Sequence, residues 1–176
     1  IFKGDHRLEH HLKRNPQSFV PVINIDNKSF TQSLSIIEYL NETRGLDLLP
    51  KDHAKRARVT ALAYAIAIDI HPICNLSVSS YAEEISGEKH YKQKWMKKFI
   101  GPGLEAFEKL LEDFPKGSYS VGDTPSLPDI CLIPQIYNAM RWEVDIAHLS
   151  RINSIIQSCN KHPAFIDAHP DFFKPS

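Results

Sequence analysis

The hydrophobic pattern changes at Pro50, and this change limits what the chain can fold into. Before Pro50, a short apolar run meets the turn-forming pair Asp26-Asn27, and a short amphipathic segment follows. After Pro50, apolar residues recur every three or four positions over long stretches, which is the period of a helix with one buried face. The pattern predicts strand, strand and helix over residues 1–50 and an all-helical domain over residues 51–176.

Composition and charge exclude several classes of function. The 176 residues carry 21 Lys and Arg against 21 Asp and Glu, so the formal net charge is zero. A chain without a basic excess is a poor nucleic-acid binder, because affinity for phosphate depends on clustered positive charge. No apolar run approaches the roughly 20 residues that span a bilayer. We therefore expect neither nucleic acid nor membrane as a partner.

Cysteine and histidine positions indicate neither a metal site nor a disulfide framework. Cys74, Cys131 and Cys159 lie far apart without a Cys-x-x-Cys pair, which fits a reducing compartment and predicts a cytoplasmic protein. Near the start, His10 and His11 are adjacent, but no third ligand stands at useful spacing. We expect no metal and interpret the early histidines as solvated.

The first fifty residues contain a hairpin signal and a helix start. Pro21 begins a predicted strand, and because it cannot donate to a ladder it indicates an edge, a strand end or a cis bond. Asp26-Asn27 suits a tight turn. Ser33 then begins a helix, and Gly45 suits its end. The Ser33 hydroxyl either caps the helix or, with Gln32, belongs to an anion site at the helix N-terminus.

The helical part shows apolar stripes that two prolines interrupt. One stripe runs from Val59 to Ile73, and Pro72 is expected to kink its helix. A second helix is predicted from about Glu88, with a kink or break at Gly101-Pro102-Gly103. A last helix is predicted over residues 149–160, and the tail beyond it is expected to be irregular.

The most specific local signal is Ser126-Leu127-Pro128-Asp129 at the start of an apolar run. Serine at the N-cap, proline early in the first turn and an acidic residue at the third position form a variant of the capping box. Asp129 could be mistaken for a catalytic carboxylate. Its position in the box favours a structural role for both Ser126 and Asp129.

Several longer segments resemble the glutathione transferases. Residues 31–40 (TQSLSIIEYL), with Val20-Pro21 before them and the Leu-Leu-Pro ending at Pro50, are similar to the C-terminal part of that family's thioredoxin-like domain. Residues 75–78 (NLSV), 121–123 (VGD) and 128–135 (PDICLIPQ) are similar to the zeta class, the maleylacetoacetate isomerases. The resemblance implies an α+β remnant of a thioredoxin-like domain over residues 1–50 and an all-α C-terminal domain over residues 51–176.

The resemblance also implies an activity and its partners. Zeta-class enzymes use glutathione to convert maleylacetoacetate to fumarylacetoacetate, a cis-to-trans step in tyrosine and phenylalanine breakdown, and they also act as transferases. The expected partners are therefore glutathione, a small dicarboxylate substrate and a second copy of the chain in a homodimer.

Binding residues follow from the resemblance position by position. Val20 matches the residue whose backbone pairs with the cysteinyl part of glutathione, and Pro21 matches the family's cis-proline. Gln32 and Ser33 match the contacts to the γ-glutamyl end. His6 falls near the position of a polar residue, often Gln, at the glycyl end; a solvated loop histidine is the alternative.

The helical domain supplies a second set of predicted ligands. His71, Asn75, Leu76 and Ser77 match a segment that faces the glutathione cleft, although the family usually has Gln where His71 stands. Because His71 and Asn75 are four apart, we expect them on one helical face. A polar packing or inter-subunit patch is the alternative for this set.

Arg141 matches an arginine that meets the substrate carboxylate, and a plain surface arginine is the alternative. A planar guanidinium suits bidentate binding of a carboxylate. Cys131 and Cys159 lie in apolar helical contexts and are expected to be inert.

The family's thiol-activating motif, of the type Ser-Ser-Cys-x-x-Arg, does not occur in the sequence. The resemblance places that motif ahead of Ile1, so we predict no catalytic residue here and expect a truncated chain with little isomerase activity of its own. The alternative is a non-catalytic binding or assembly module with the same fold.

Overall fold

A computed structural model describes residues 4–173 and divides the chain into two compact units, residues 1–47 and 48–176. The first unit contains a two-stranded sheet, and the second consists of helices. Among the described residues, none of the helices is long and apolar enough to cross a membrane. A small sheet unit followed by a helical unit is the predicted fold class.

The first unit is a hairpin with helices on either side of it in sequence. Its elements are a 3-10 turn at Asp5–Arg7, α1 (Glu9–Leu12), β1 (Val22–Ile25), β2 (Lys28–Thr31) and α2 (Ser33–Arg44). The strands pair antiparallel from Val22 opposite Thr31 to Ile25 opposite Lys28. Gly45 follows α2 in the left-handed conformation, as its position predicted.

The predicted hairpin turn is confirmed at Asp26 and Asn27. Both residues have positive φ, 52° and 59°, which is the geometry of a two-residue turn that matches strand twist. The Asp26 carboxylate accepts hydrogen bonds from the Tyr39 hydroxyl and from Arg44, each at 2.7 Å. These bonds join the turn to α2, and they hold the pKa of Asp26 below its usual value.

The residues before the hairpin are more ordered than the sequence predicted. His11 is buried, and its Nε2 lies 2.9 Å from the Phe19 carbonyl oxygen. The side-chain amide of Asn15 donates to the same oxygen at 2.9 Å. The interpretation of His11 as a solvated histidine is therefore wrong, because a contact eight residues away in sequence gives its ring a partner.

Over its described residues, 48–173, the second unit contains six helices, with short 3-10 turns after the third and the sixth of them. They are α3 (His53–Ala67), α4 (Leu76–Ser86), α5 (Tyr91–Leu110), α6 (Leu127–Arg141), α7 (Ser150–Cys159) and α8 (Pro163–Asp167), and the turns are Leu111–Asp113 and Pro170–Phe173. Asp52 caps α3 by accepting a hydrogen bond from the Lys55 N–H at 2.8 Å. The last long helix, α7, lies within one residue of its predicted bounds.

The core of the second unit forms where α3 packs against α5 and α6. Leu62 and Ile66 of α3 are buried, as is Phe107 of α5, and the three belong to one hydrophobic cluster. The predicted stripe, as far as Ile66, is therefore the buried face of α3. Burying a large apolar side chain contributes about 1.5–3 kcal/mol, so this cluster is the main stabilising element of the unit.

The structure corrects the kink predicted at Pro72 and the break predicted at Gly101-Pro102-Gly103. The helix that carries the Val59 stripe, α3, ends at Ala67. Pro72 therefore lies in the turn between α3 and α4 and does not kink a helix. By contrast, α5 runs unbroken through Gly101-Pro102-Gly103. The proline removes only one helical hydrogen bond, and packing of the buried face of α5 outweighs that loss.

The predicted capping box at the start of α6 is confirmed. Oδ2 of Asp129 accepts hydrogen bonds from the N–H and the hydroxyl of Ser126 at 2.8 and 2.7 Å. Its Oδ1 accepts two more, from the N–H and hydroxyl of Ser120 at 2.8 and 2.6 Å. Asp129 is completely buried, so the carboxylate fixes both the helix start and the preceding loop.

A second network fastens α7 to the end of α5. The Glu108 carboxylate accepts hydrogen bonds from the N–H groups of Arg151 and Ile152, at 2.8 and 2.9 Å, and so caps α7 from another helix. The Arg151 guanidinium donates to the carbonyl oxygens of Leu111, Phe114, Pro115 and Ser120. The Ser120 carbonyl joins this network to the Asp129 capping box.

Replacing Asp129 should cost far more stability than replacing an exposed helix cap. In Asp129→Ala, the buried donors of Ser120 and Ser126 lose their acceptor, and we expect the free energy of unfolding to fall by about 3 kcal/mol or more. In the control Asp52→Ala, the exposed cap should cost about 1 kcal/mol. Urea denaturation of both variants checks this, and equal losses would contradict the central place given to Asp129.

Candidate functional site

Gln32 and Ser33 lie at the start of α2, and their geometry differs from ordinary capping. Gln32, not Ser33, is the N-cap, and its side chain makes no capping hydrogen bond. Ser33 is the first helical residue, and its hydroxyl has no hydrogen bond within residues 4–173. Of the two alternatives for Ser33, capping of the helix is therefore wrong. Its exposed hydroxyl stands beside the free N–H groups of a twelve-residue helix, where an anion is stabilised.

Gln32 has a backbone conformation that needs an explanation. Its φ is 67°, in the region that favours glycine, although the residue carries a long side chain. Such positions cost of order 1 kcal/mol and cluster at ligand sites. The Gln32 amide nitrogen donates to Oε1 of Gln17 at 3.1 Å, which holds the side chain at the surface of the first unit.

Val20 and Pro21 precede β1 and are joined by a cis peptide bond. The cis bond is one of the three alternatives that the sequence left open. Val20 is about half exposed, at 49%. Within the part of the chain that the structure describes, neither its N–H nor its C=O makes a backbone hydrogen bond. A free N–H and C=O on extended chain can pair with a peptide-like ligand as a strand would.

His6 lies in the 3-10 turn of the first unit. Its Nδ1 is buried and has no hydrogen-bond partner among the described residues. The Ser18 hydroxyl donates to the His6 carbonyl at 2.8 Å, which ties the turn to the segment before Val20. Partial burial and the nearby charge of Arg7 lower the pKa of His6, so the ring is mostly neutral at neutral pH. A neutral imidazole offers one donor and one acceptor.

The first unit thus contains four candidate residues whose polar groups suit a peptide with free carboxylates. The Ser33 hydroxyl and the start of α2 suit a carboxylate, and the Gln32 side chain suits an amino or amide group. The Val20 backbone suits a peptide unit. These are the groups that glutathione presents, so the residues present fit that ligand.

In the second unit, three predicted ligands lie together at the start of α4. Asn75 is the N-cap, and its Oδ1 accepts hydrogen bonds from the N–H and hydroxyl of Ser77, each at 3.0 Å. Leu76 begins the helix and is exposed. Asn75 and Ser77 therefore also form the cap of α4, a role that was not predicted from the sequence.

His71 does not share a helical face with Asn75, and that prediction is wrong. His71 lies in the turn between α3 and α4, where its N–H donates to the Ile66 carbonyl at 3.0 Å. The ring is exposed. The error arose because apolar spacing continued past Ala67, although the chain leaves the helix there.

Arg141 is the last residue of α6, and its side chain is exposed. Its guanidinium forms no hydrogen bond or ion pair with any of residues 4–173. The N–H donors of the Arg141 guanidinium are therefore available to bind a carboxylate at this end of α6.

The cysteines of the chain are not candidates for nucleophiles. Burial raises the pKa of Cys74 to about 11 and, with the nearby charge of Asp129, raises those of Cys131 and Cys159 to about 12. Because only the thiolate is a competent nucleophile, all three remain protonated and unreactive at neutral pH. The expectation of inert thiols at Cys131 and Cys159 agrees with these directions.

With this geometry established, comparison with known proteins defines the family. No protein-family model matches the chain. It is 49% identical over 172 residues to the maleylacetoacetate isomerase of Rhizobium meliloti, and the match covers 97% of this chain and 81% of the relative.

Two solved structures share the fold over almost the whole chain. One is a holo maleyl pyruvate isomerase, described as a bacterial zeta-class glutathione transferase. It superposes with a TM-score of 0.91 at 37% sequence identity, and the match covers 96% of this chain and 81% of that one. The other is the maleylacetoacetate isomerase of Methylobacterium extorquens AM1 with bound malonate and glutathione. Its TM-score is 0.90 at 30% sequence identity, and the match covers 99% of this chain and 83% of that one. The fold is that of the glutathione transferases. Within that class, the chain belongs to the zeta-class maleylacetoacetate isomerase family.

Sequence reasoning missed several residues that support these candidates. Gln17 holds the Gln32 side chain, and His11 and Asn15 hold the Phe19 carbonyl next to Val20. No local pattern identifies such residues, because each acts through a partner several positions away. The pair Asn15-Pro16, a common turn signal, was the one available hint.

Replacing Ser33 should weaken glutathione binding without destabilising the fold. Ser33→Ala removes one hydrogen bond to a carboxylate, and we expect the affinity to fall by about 1–3 kcal/mol. Unfolding free energy should change little, because the hydroxyl caps nothing. Calorimetric titration measures the affinity, and Ser35→Ala, on the same helix and also exposed, is the control. Equal affinities in the two variants would remove Ser33 from the site.

Proposed function

We propose that this chain belongs to a glutathione-dependent isomerase that converts maleylacetoacetate to fumarylacetoacetate, with accompanying glutathione transferase activity, in the breakdown of tyrosine and phenylalanine. The observation that carries the proposal is the 49% identity, over 97% of the chain, to a maleylacetoacetate isomerase. A cytoplasmic location is part of the proposal, and it is supported by three cysteines that form no disulfide.

The binding residues of the first unit would hold glutathione in one orientation. The Val20 backbone pairs with the cysteinyl peptide unit, Gln32 and Ser33 hold the γ-glutamyl end, and His6 offers a donor at the glycyl end. When bound, glutathione supplies a thiolate that adds reversibly to the substrate double bond and so permits rotation. Since no residue here matches the thiol-activating motif, we assign these residues to binding only.

The candidates of the second unit have two proposed roles. The exposed Leu76 and His71, with the polar pair Asn75 and Ser77, are proposed as further glutathione contacts. Arg141 is proposed to bind a substrate carboxylate, because its guanidinium is exposed and without a described partner. A bidentate arginine–carboxylate pair fixes the orientation of a substrate as well as adding affinity.

The proposal is tested by titrating malonate into the chain saturated with glutathione. Malonate is the dicarboxylate present in the Methylobacterium relative. We expect Arg141→Ala to weaken malonate binding by about 1.5–3 kcal/mol while glutathione affinity stays unchanged, because a hydrogen bond to a charged group is lost. Arg141→Lys should fall in between, since lysine keeps the charge but not the fork. Unchanged malonate affinity in Arg141→Ala, or a chain that binds no glutathione, would contradict the proposal.

We also propose that the protein is a homodimer that buries one face of α4. Val78, Tyr81 and Ile85 recur at intervals of three and four along α4, and Tyr81 and Ile85 are 64% and 68% exposed. Tyr64 and Ile68, near the end of α3, are exposed as well. A stripe of large apolar side chains on a helix surface is typical of an interface that a second copy covers.

Sedimentation equilibrium tests the dimer. We expect the wild-type chain to be dimeric at tens of micromolar, and Ile85→Glu to shift it toward monomer because a charge cannot be buried in an apolar interface. Met140→Glu is the control, because Met140 is as exposed as Ile85 but lies on α6. A wild-type monomer, or equal shifts in both variants, would contradict the interface on α4.

A further inference from the structure

The four glutathione candidates of the second unit lie in the turn between α3 and α4 or directly after it. His71 and Asn75 are in the turn, and Leu76 and Ser77 begin α4. It is short and irregular: the Cys74 N–H donates to the carbonyls of Ile70 and His71 at 3.2 and 3.1 Å, and no regular element begins before Leu76. Most of its N–H groups donate to carbonyls within the turn or in the last turns of α3, but the Ile73 carbonyl accepts none of those bonds. The contacts that hold the turn from outside come from α5.

Trp95 provides the polar contact. Its indole Nε1 donates a hydrogen bond to the carbonyl oxygen of Ile73 at 2.9 Å, across 22 positions of sequence. The ring is half-buried and packs against Phe99, with ring centroids 4.8 Å apart. Packing therefore fixes the ring, and the fixed ring aims the N–H at the turn.

Gly103 provides the apolar contact. A Cβ at this position would lie 2.6 Å from Cδ1 of Ile70, closer than carbon atoms approach. Ile70 is buried, so it has little freedom to move away. The absence of a side chain at Gly103 lets α5 meet the start of the turn directly.

The two contacts lie on one face of α5. Trp95, Phe99 and Gly103 are spaced four residues apart, which places them on the same side of a helix. Ile70 and Ile73, their partners, are three residues apart in the turn. One helix face therefore contacts the turn at two points just before Asn75, the N-cap of α4.

We propose that Trp95 is a positioning residue for glutathione binding: its indole N–H and the close approach at Gly103 hold the turn so that His71 and the start of α4 keep the conformation that binds glutathione. Trp95 itself is not proposed to touch glutathione. The inference rests on the proposed function, since it assumes that the segment from His71 to Ser77 contacts glutathione.

Trp95→Phe tests the proposal because it removes the indole N–H and keeps an aromatic ring. We expect glutathione binding, measured by calorimetry, to weaken about three- to tenfold, the effect of losing one neutral hydrogen bond that holds a binding segment. Amide hydrogen exchange of residues 71–77 should be faster in the variant. Loss of stability alone would lower the unfolding free energy without changing the affinity of the folded protein.

Trp142→Phe is the matched control. The indole of Trp142 also donates a hydrogen bond, to Oδ1 of Asn138 at 3.1 Å, but it lies at the end of α6 and not on the turn. We expect this variant to keep wild-type glutathione affinity and wild-type exchange in residues 71–77. An equal loss of affinity in both tryptophan variants would overturn the proposal.

Gly103→Ala gives a second, independent test by adding one methyl group against Ile70. It should also weaken glutathione binding and speed exchange in residues 71–77, and it decides the matter if Trp95→Phe does not fold. Glutathione affinity within twofold of wild type in the folded variants would overturn the positioning role. A wild-type chain that binds no glutathione would instead overturn the proposed function, and the wild-type titration separates that failure from the first.

Discussion

The buried carboxylate of Asp129 is the constraint on which the helical unit depends. Burying a carboxyl group is costly unless its oxygens are hydrogen-bonded, and here four donors from Ser120 and Ser126 bond to those oxygens. Through the Ser120 carbonyl, this group is joined to Arg151 and to the start of α7. The same carboxylate fixes the first turn of α6, whose other end carries Arg141. A structural residue at one end of a helix thereby sets the place of a proposed substrate contact at the other.

The sequence predicts features that depend on residues close together in the chain better than features that depend on distant contacts. The Asp26-Asn27 turn and the box at Ser126 and Asp129 are local, because each joins residues at most three apart, and both predictions are confirmed. The ends of α3 and α4 and the continuity of α5 depend on packing between distant segments. Apolar spacing alone therefore extended α3 past Ala67, and the local effect of Pro102 on Gly101 predicted a break in α5 that tertiary packing overrides.

In the candidate site, too, local features could be predicted from the sequence and features of the folded chain could not. Residue types near Ser33 and Val20 could be identified from the sequence and its family resemblance, because the motifs around them are contiguous. The positive φ of Gln32, the free backbone of Val20 and the free hydroxyl of Ser33 could not, since they are properties of the folded chain. These features favour ligand binding over plain capping. The sequence gives no sign of the role proposed for Trp95, because this residue acts through one carbonyl group 22 positions away.

We propose that glutathione binds where the Val20 backbone and the start of α2 present unpaired polar groups. Amide chemical-shift mapping by NMR, with glutathione titrated into isotope-labelled chain, tests this binding position residue by residue. We expect the largest saturable shifts in the first unit at the amides of Val20, Gln32 and Ser33. Saturable shifts that leave these three amides unchanged, or no shifts at millimolar glutathione, would contradict it.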